Sequence, residues 1–99
     1  MKVTHSDSEA VLTVTGDINM TTSPRMRAAL IDVASGRPEE VVVDLEGVTY
    51  IDSSGIATLV EALQRARREG RRLVLRGLRE SIRAVFRLAR LDEVFIIVH

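Results

Sequence analysis

The chain of 99 residues predicts an α/β fold, a mixed and mostly parallel β-sheet of four or five strands with three or four α-helices. Three observations carry this expectation. Short β-branched runs alternate with stretches of helical period. One run, Val41-Val42-Val43-Asp44-Leu45, is nearly unbroken in its apolar character, as in a strand covered on both faces. The intervening helical stretches are long enough to serve as crossovers between parallel strands, and right-handed crossovers then give one sheet in the order β-β-α-β-α-β-α-β.

Along the chain, a short strand near residues 2–5 is expected to pair with residues 9–15, a β-branched and partly alternating run that Gly16-Asp17 closes as a turn. Ser23 is read as an N-cap with Pro24 at the first helical position, and Met26, Ala29, Leu30 and Val33 make an i, i+3, i+4, i+7 stripe that Gly36-Arg37-Pro38 stops. Glu39-Glu40 leads into the apolar run at 41–45, the best candidate for the centre of the sheet. Past residues 46–51, Asp52-Ser53-Ser54-Gly55 opens a second helix, in which Ile56, Leu59, Val60 and Leu63 recur at helical spacing up to Gly70. Leu73-Val74-Leu75 lies within a short strand at 72–76. Ile82, Val85, Phe86 and Ala89 line a third helix from about Arg79, and residues 94–98 read as the last strand.

Length fits a single domain spanning 1–99, with a core near the lower comfortable size. Aromatic residues make up only 3% of the chain while hydrophobic residues make up 45%, so the core is expected to be aliphatic, helix packed on sheet, with no platform for stacking bases. The absence of cysteine removes disulfides, thiolate metal sites and cysteine nucleophiles and is compatible with a reducing compartment. A cytoplasmic location is the expectation, since the N-terminal residues turn polar at once and no apolar run approaches the roughly 20 residues of a membrane span. No helix pattern is apolar on every face, which points to a monomer.

Fourteen basic residues balance fourteen acidic ones, so nothing draws the whole chain to nucleic acid or anionic lipid. The halves differ. Residues 1–60 hold 4 Lys+Arg against 9 Asp+Glu (4 − 9 = −5), and residues 61–99 hold 10 against 5 (10 − 5 = +5). The arginines fall between apolar positions, so solvated outer faces of amphipathic helices account for the pattern better than a polar partner surface.

Catalytic chemistry finds little support. His5 and His99 stand at opposite ends of the chain outside any ligand-spaced cluster, and both G-x-G-x-x-G and the Walker pattern are missing. Ser53 and Ser54 have no internal histidine to act as a base. Asp17, Asp44 and Asp52 follow no metal-ligand spacing, so turns and caps are favoured over a Mg²⁺ site. No cofactor, no metal and no enzymatic activity are expected. What remains is a serine at a helix N-terminus, where unpaired N–H groups and the positive end of the dipole favour an added negative group. Phosphorylation there would add about −1.5 to −2 charges without refolding the domain. Taken alone, the tetrapeptide is explained better by an ordinary N-cap serine in a strand-to-helix turn.

The stretch from Val41-Val42-Val43-Asp44-Leu45 through Val48-Thr49-Tyr50-Ile51-Asp52-Ser53-Ser54-Gly55-Ile56 resembles the signature of STAS domains, especially the anti-sigma-factor antagonists. Gly16-Asp17-Ile18-Asn19 stands where that family carries its Gly-Glu-Leu-Asp turn, and the likeness spans essentially the whole chain. It implies a STAS-type fold and a partner-switching module. The unphosphorylated antagonist binds a serine kinase that is also the anti-sigma factor. Phosphorylation of the serine after the Asp, Ser53 here, releases the complex, and a PP2C-type phosphatase resets it. The resemblance places partner contacts at Asn19, Thr21, Thr22, Asp52, Ser54, Gly55 and Ile56. Asn19 departs from the family's Asp, which removes a charge expected near the phosphorylation site. That departure and the arginine-rich faces (Arg65, Arg67, Arg68, Arg83, Arg87) motivate an alternative, a STAS subunit of a lipid-transport ABC complex or a stress-sensing assembly.

Overall fold

The computed structural model describes the backbone of residues 2–5 and 9–98, and the side chains of residues 9–98. Its elements are β1 (Lys2–His5), β2 (Glu9–Ile18), α1 (Ser23–Ser35), β3 (Glu40–Ile51), α2 (Ser53–Arg68), β4 (Arg72–Arg76), α3 (Glu80–Leu88), a 3-10 turn (Leu91–Glu93) and β5 (Ile96–Val98). The five strands form one sheet in the order β1-β2-β3-β4-β5. β1 runs antiparallel to β2, and β2, β3, β4 and β5 are mutually parallel. The predicted order of elements and the mostly parallel sheet are therefore what the chain adopts, with three α-helices. His99 lies outside the described residues, as does the side chain of His5.

Strand parity sorts the sheet into two faces. Ala10, Leu12 and Val14 of β2, Val41, Val43 and Leu45 of β3, and Leu73 and Leu75 of β4 turn to one side. There they join Met26, Leu30 and Val33 of α1, Leu59 and Leu63 of α2, and Ile82 and Phe86 of α3 in one cluster. All three helices thus contribute to the same layer. The edge-to-face contact of Phe86 with Phe95, ring centres 5.6 Å apart, closes the far end of that core. The run at 41–45 is buried on both faces, as its apolar character predicts: Val41, Val43 and Leu45 lie in the cluster the helices build, and Val42, also buried, stands outside it.

Three local readings also change. Gly16-Asp17 does not end β2; the strand continues to Ile18, with breaks in register between Thr13 and Thr15 and between Gly16 and Asp17. Gly16 takes φ +84°, which a glycine adopts without a Cβ clash, so the pair forms an irregularity inside a longer strand instead of a turn. Ser23 is not the cap of α1. Thr22 holds that position without a side-chain cap bond, and Ser23 is the first helical residue and buried. Finally β5 starts at Ile96, because residues 91–93 coil into the 3-10 turn whose Leu91 carbonyl accepts from both Val94 N–H and Phe95 N–H.

The added length of β2 and β3 shapes one corner of the molecule. Both strands outrun β4, pairing as far as Asp17 with Tyr50 and Ile18 with Ile51, so their carboxyl ends project together beyond the rest of the sheet. Ligands and partners of open parallel sheets gather at such strand ends.

Candidate functional site

At the end of β3 the chain must turn from strand to helix. Ile51, buried, anchors the last position of the strand. Asp52 is extended, with φ −105° and ψ −174°, and its carboxylate Oδ1 accepts from Ser54 N–H at 2.9 Å and Gly55 N–H at 3.2 Å. Two of the four orphan amides at the start of α2 are thereby satisfied by Asp52, the N-cap. The Ser54 hydroxyl donates to the same oxygen at 2.6 Å. Gly55 is buried because the helix is pressed onto the strand ends; a Cβ there would come 2.6 Å from Ile18 Cγ2 and 2.8 Å from Ile51 Cγ1.

Ser53 has none of these ties. It is exposed at the first position of the helix, and among the described residues its hydroxyl takes part in no hydrogen bond. The two adjacent serines therefore do different things: Ser54 closes the cap, while Ser53 faces solvent with its oxygen uncommitted.

The neighbouring loop is stitched to the same corner. Asp52 N–H donates to the Ile18 carbonyl at 3.0 Å, joining the ends of the two long strands. Asn19 Oδ1 accepts from Thr21 N–H at 2.9 Å and Thr22 N–H at 3.2 Å. Thr22 Oγ1 accepts from Asn19 N–H at 2.9 Å and donates to the Asp17 carbonyl at 2.8 Å. Asn19 supplies the loop with a side-chain oxygen acceptor, a role that the family's Asp fills equally well, so the substitution removes a charge and keeps the turn. The Ser54 hydroxyl, followed by the backbone amides of Gly55, Ser54 and Met20, holds the Asp52 carboxyl below the usual carboxylate range. This corner accordingly carries an anion one of whose oxygens, Oδ1, is engaged by the first turn of its own helix.

The structure brings the seven anticipated contact residues to one corner, though with unequal access. Thr21 is exposed; Asn19, Thr22, Asp52, Ser54 and Ile56 are half-buried; Gly55 is buried and acts through close packing, with no side chain to offer. Two residues escaped sequence reasoning. Met20, 77% exposed, sits in the loop whose amide reaches Asp52, and Tyr50, 51% exposed, lies two residues before it on β3. Large apolar side chains left in water beside a polar turn fit the anchors of a protein interface. Neither breaks a periodic pattern, so only burial in three dimensions reveals them.

The other carboxylates stay apart. Asp17 Oδ1 accepts from the Thr49 hydroxyl at 2.8 Å, and Asp44 accepts from Glu46 N–H at 3.0 Å and from Arg76 at 3.1 Å. Among the described residues no three His, Asp or Glu side chains gather in a way that could hold a metal ion. No described helix is long and apolar enough to cross a membrane.

The family model described as "Mlab, STAS domain" matches residues 1–98. The anti-sigma-B factor antagonist of Staphylococcus epidermidis is 27% identical over 92 residues, 93% of this chain and 84% of the relative. An anti-sigma factor antagonist of known crystal structure from Mycobacterium paratuberculosis is similar at a TM-score of 0.82 and 29% identity, over 97% of this chain and 81% of that one. The Bacillus cell fate determinant SpoIIAA in its phosphorylated form is similar in fold, TM-score 0.76 at 16% identity, over 99% of this chain and 90% of that one.

Proposed function

The chain belongs to the STAS domain family, and from that premise we propose that it is an anti-sigma-factor antagonist whose partner affinity is switched by phosphorylation of Ser53. The observation that carries this reading is the division of labour at the mouth of α2. Ser54 and Asp52 complete the cap, which leaves the exposed Ser53 hydroxyl free to accept a phosphoryl group without disturbing the helix.

The physics of the switch is local. In the unmodified state the corner offers Met20, Tyr50 and Thr21 as accessible contact groups around a small neutral hydroxyl. A partner docked there would cover Ser53. Phosphorylation places a dianion next to the ionised Asp52, whose Oδ1 already accepts from the Ser54 and Gly55 amides. A docked partner would then have to desolvate two adjacent anions, and each ~1.4 kcal/mol of that penalty weakens binding tenfold. The phosphoryl donor and the enzyme that removes the group are supplied by partners, an anti-sigma serine kinase and a PP2C-type phosphatase in the family's scheme, and the site requires no catalytic group of its own. A cytoplasmic setting follows from those partners.

The alternative, a STAS subunit of a transporter or stress-sensing assembly that works without phosphorylation, draws on the arginine-rich faces. Several of those arginines are engaged within the chain: Arg65 with Glu61, Arg67 with the Val94 carbonyl, and Arg87 with Glu80. They give no separate argument for a second surface.

Incubation with an anti-sigma serine kinase and ATP, read by intact mass, tests the proposal. One phosphate is expected on the wild type and on Ser54→Ala, and none on Ser53→Ala. Kinase binding is expected to fall at least about tenfold for Ser53→Asp. Phosphate on Ser54, or a Ser53→Asp variant that binds the kinase like the wild type, would sink the reading. Stable co-purification with an ATPase subunit, equal for wild type and Ser53→Asp, would favour the alternative.

A further inference from the structure

Sulfur chemistry in this chain belongs to methionine alone, since the sequence holds three Met and no Cys. Met1 lies outside the described residues, and the other two differ sharply in access. Met26 is sealed in the core at 0% exposure, whereas Met20 is 77% exposed. The loop that carries Met20 is held from both ends. The Asn19 side chain accepts from the Thr22 amide, the Thr22 hydroxyl donates to the Asp17 carbonyl, and the Met20 amide reaches Asp52. The backbone is therefore fixed while the thioether stands in water, beside the residue that precedes Ser53.

An exposed thioether is open to attack by a hydroperoxide. The sulfur lone pair displaces the O–O bond, one oxygen passes to sulfur and the other leaves as water, so sulfur loses the two electrons that the peroxide gains. The product, methionine sulfoxide, is polar where the thioether was apolar and adaptable. An apolar anchor is thereby turned against its own contact. A pocket shaped for the thioether would have to desolvate the S=O dipole without pairing it. Met26 is shielded from the same reagent, so the chemistry falls on the interface and spares the core.

We propose that Met20 is an oxidation site that switches the same interface as Ser53. The thioether docks in an apolar pocket of the anti-sigma kinase, and the sulfoxide releases it. This inference rests on the reading of Ser53 as the switch of a partner complex, but it uses a different atom and a different reaction. Phosphorylation adds charge at a hydroxyl; oxidation adds a dipole at an apolar anchor. The return to the thioether consumes two thiols, which leave as a disulfide and water. Because the chain has no Cys, a separate thiol-dependent reductase supplies them. A partner that buries Met20 also shields it, so binding and oxidation oppose each other.

Treatment of the full chain with dilute hydrogen peroxide, quenched before the kinase is added, tests the proposal. Peptide mass mapping is expected to find one added oxygen on Met20 and none on Met26. Kinase binding is expected to fall at least about tenfold and to return after treatment with methionine sulfoxide reductase. Met20→Leu, which keeps an apolar chain of similar volume, is expected to bind like the wild type and to keep that affinity after peroxide. Met20→Gln is expected to bind at least about tenfold more weakly without any oxidant. Bound kinase is expected to slow the oxidation of Met20. Oxidised or Met20→Gln protein that binds like the wild type, peroxide sensitivity that persists in Met20→Leu, or a Met20 oxidation rate indifferent to the kinase overturns the proposal. Ser53→Asp, titrated alongside, keeps the two readings apart: its loss of binding upholds the switch at Ser53 whatever Met20 does.

Discussion

At the scale of single residues, the site turns on the difference between two neighbouring hydroxyls. Ser54 donates to Asp52 and helps close the cap, whereas Ser53 faces solvent. Thermal or urea unfolding of the alanine variants should separate them. Ser53→Ala is expected to stay within about 0.5 kcal/mol of the wild type, as exposed substitutions do. Ser54→Ala is expected to lose about 1 kcal/mol, the net worth of one hydrogen bond. Equal stabilities would remove the distinction on which the assignment of Ser53 rests. Asp52 adds a pH signature. Its carboxyl is held below the ordinary range first by the Ser54 hydroxyl and then by the Gly55, Ser54 and Met20 amides. A depressed folded-state value contributes stability that is fully present above the unfolded carboxylate value of about 4. That contribution fades as the pH falls from there through the lower folded value. Asn also caps helices well but does not titrate. Asp52→Asn should therefore flatten the acid limb of the stability profile below about pH 4, measured as the urea midpoint against pH. An unchanged acid limb would show that the cap carries no such linkage.

At the scale of elements, α2 is placed by its fit against the ends of β2 and β3. Gly55 lets the first turn approach Ile18 and Ile51 to a distance no Cβ tolerates. Gly55→Ala is expected to destabilise the protein by about 1–3 kcal/mol through overpacking, despite the better helix propensity of alanine. It should also weaken partner binding, because Asp52 and the loop at 19–22 are joined to the same strand ends. A stable Gly55→Ala variant with normal binding would show that the corner can give way. The glycine's presence in the tetrapeptide was legible from the sequence; the strand ends it packs against were not. Helical period and β-branched runs located all three helices and the order of the strands, because burial on one side leaves a periodic trace. The lengths of β2 and β3 left none. Gly16-Asp17 has the composition of a turn, and only pairing with β3 shows that the strand survives it as an irregularity. Ser23-Pro24 has the composition of a cap, yet Ser23 is drawn into the helix and buried while Thr22 spends its hydroxyl on Asp17 and Asn19. Met20 and Tyr50 left no trace at all, since an exposed apolar residue in a loop or at a strand end looks like any other in one dimension. The one-sided placement of the helices was likewise hidden, because Val42 and Val74 read as core whichever side they face.

For the whole molecule, the switch must act without refolding the frame that holds it. Ile51 and Gly55 are buried on either side of Ser53, so the segment free to respond to a phosphate is the short stretch between them. The first turn of α2 holds no acidic side chain beyond the cap, and a negative group there meets the positive end of the helix. Ser53→Asp should therefore keep the melting temperature of the wild type or raise it slightly while partner affinity falls at least about tenfold. Calorimetry and kinase titration of one protein preparation measure both quantities. A drop in melting temperature that parallels the loss of binding would mean that the negative charge acts by unfolding the corner and not by electrostatic exclusion at an intact surface.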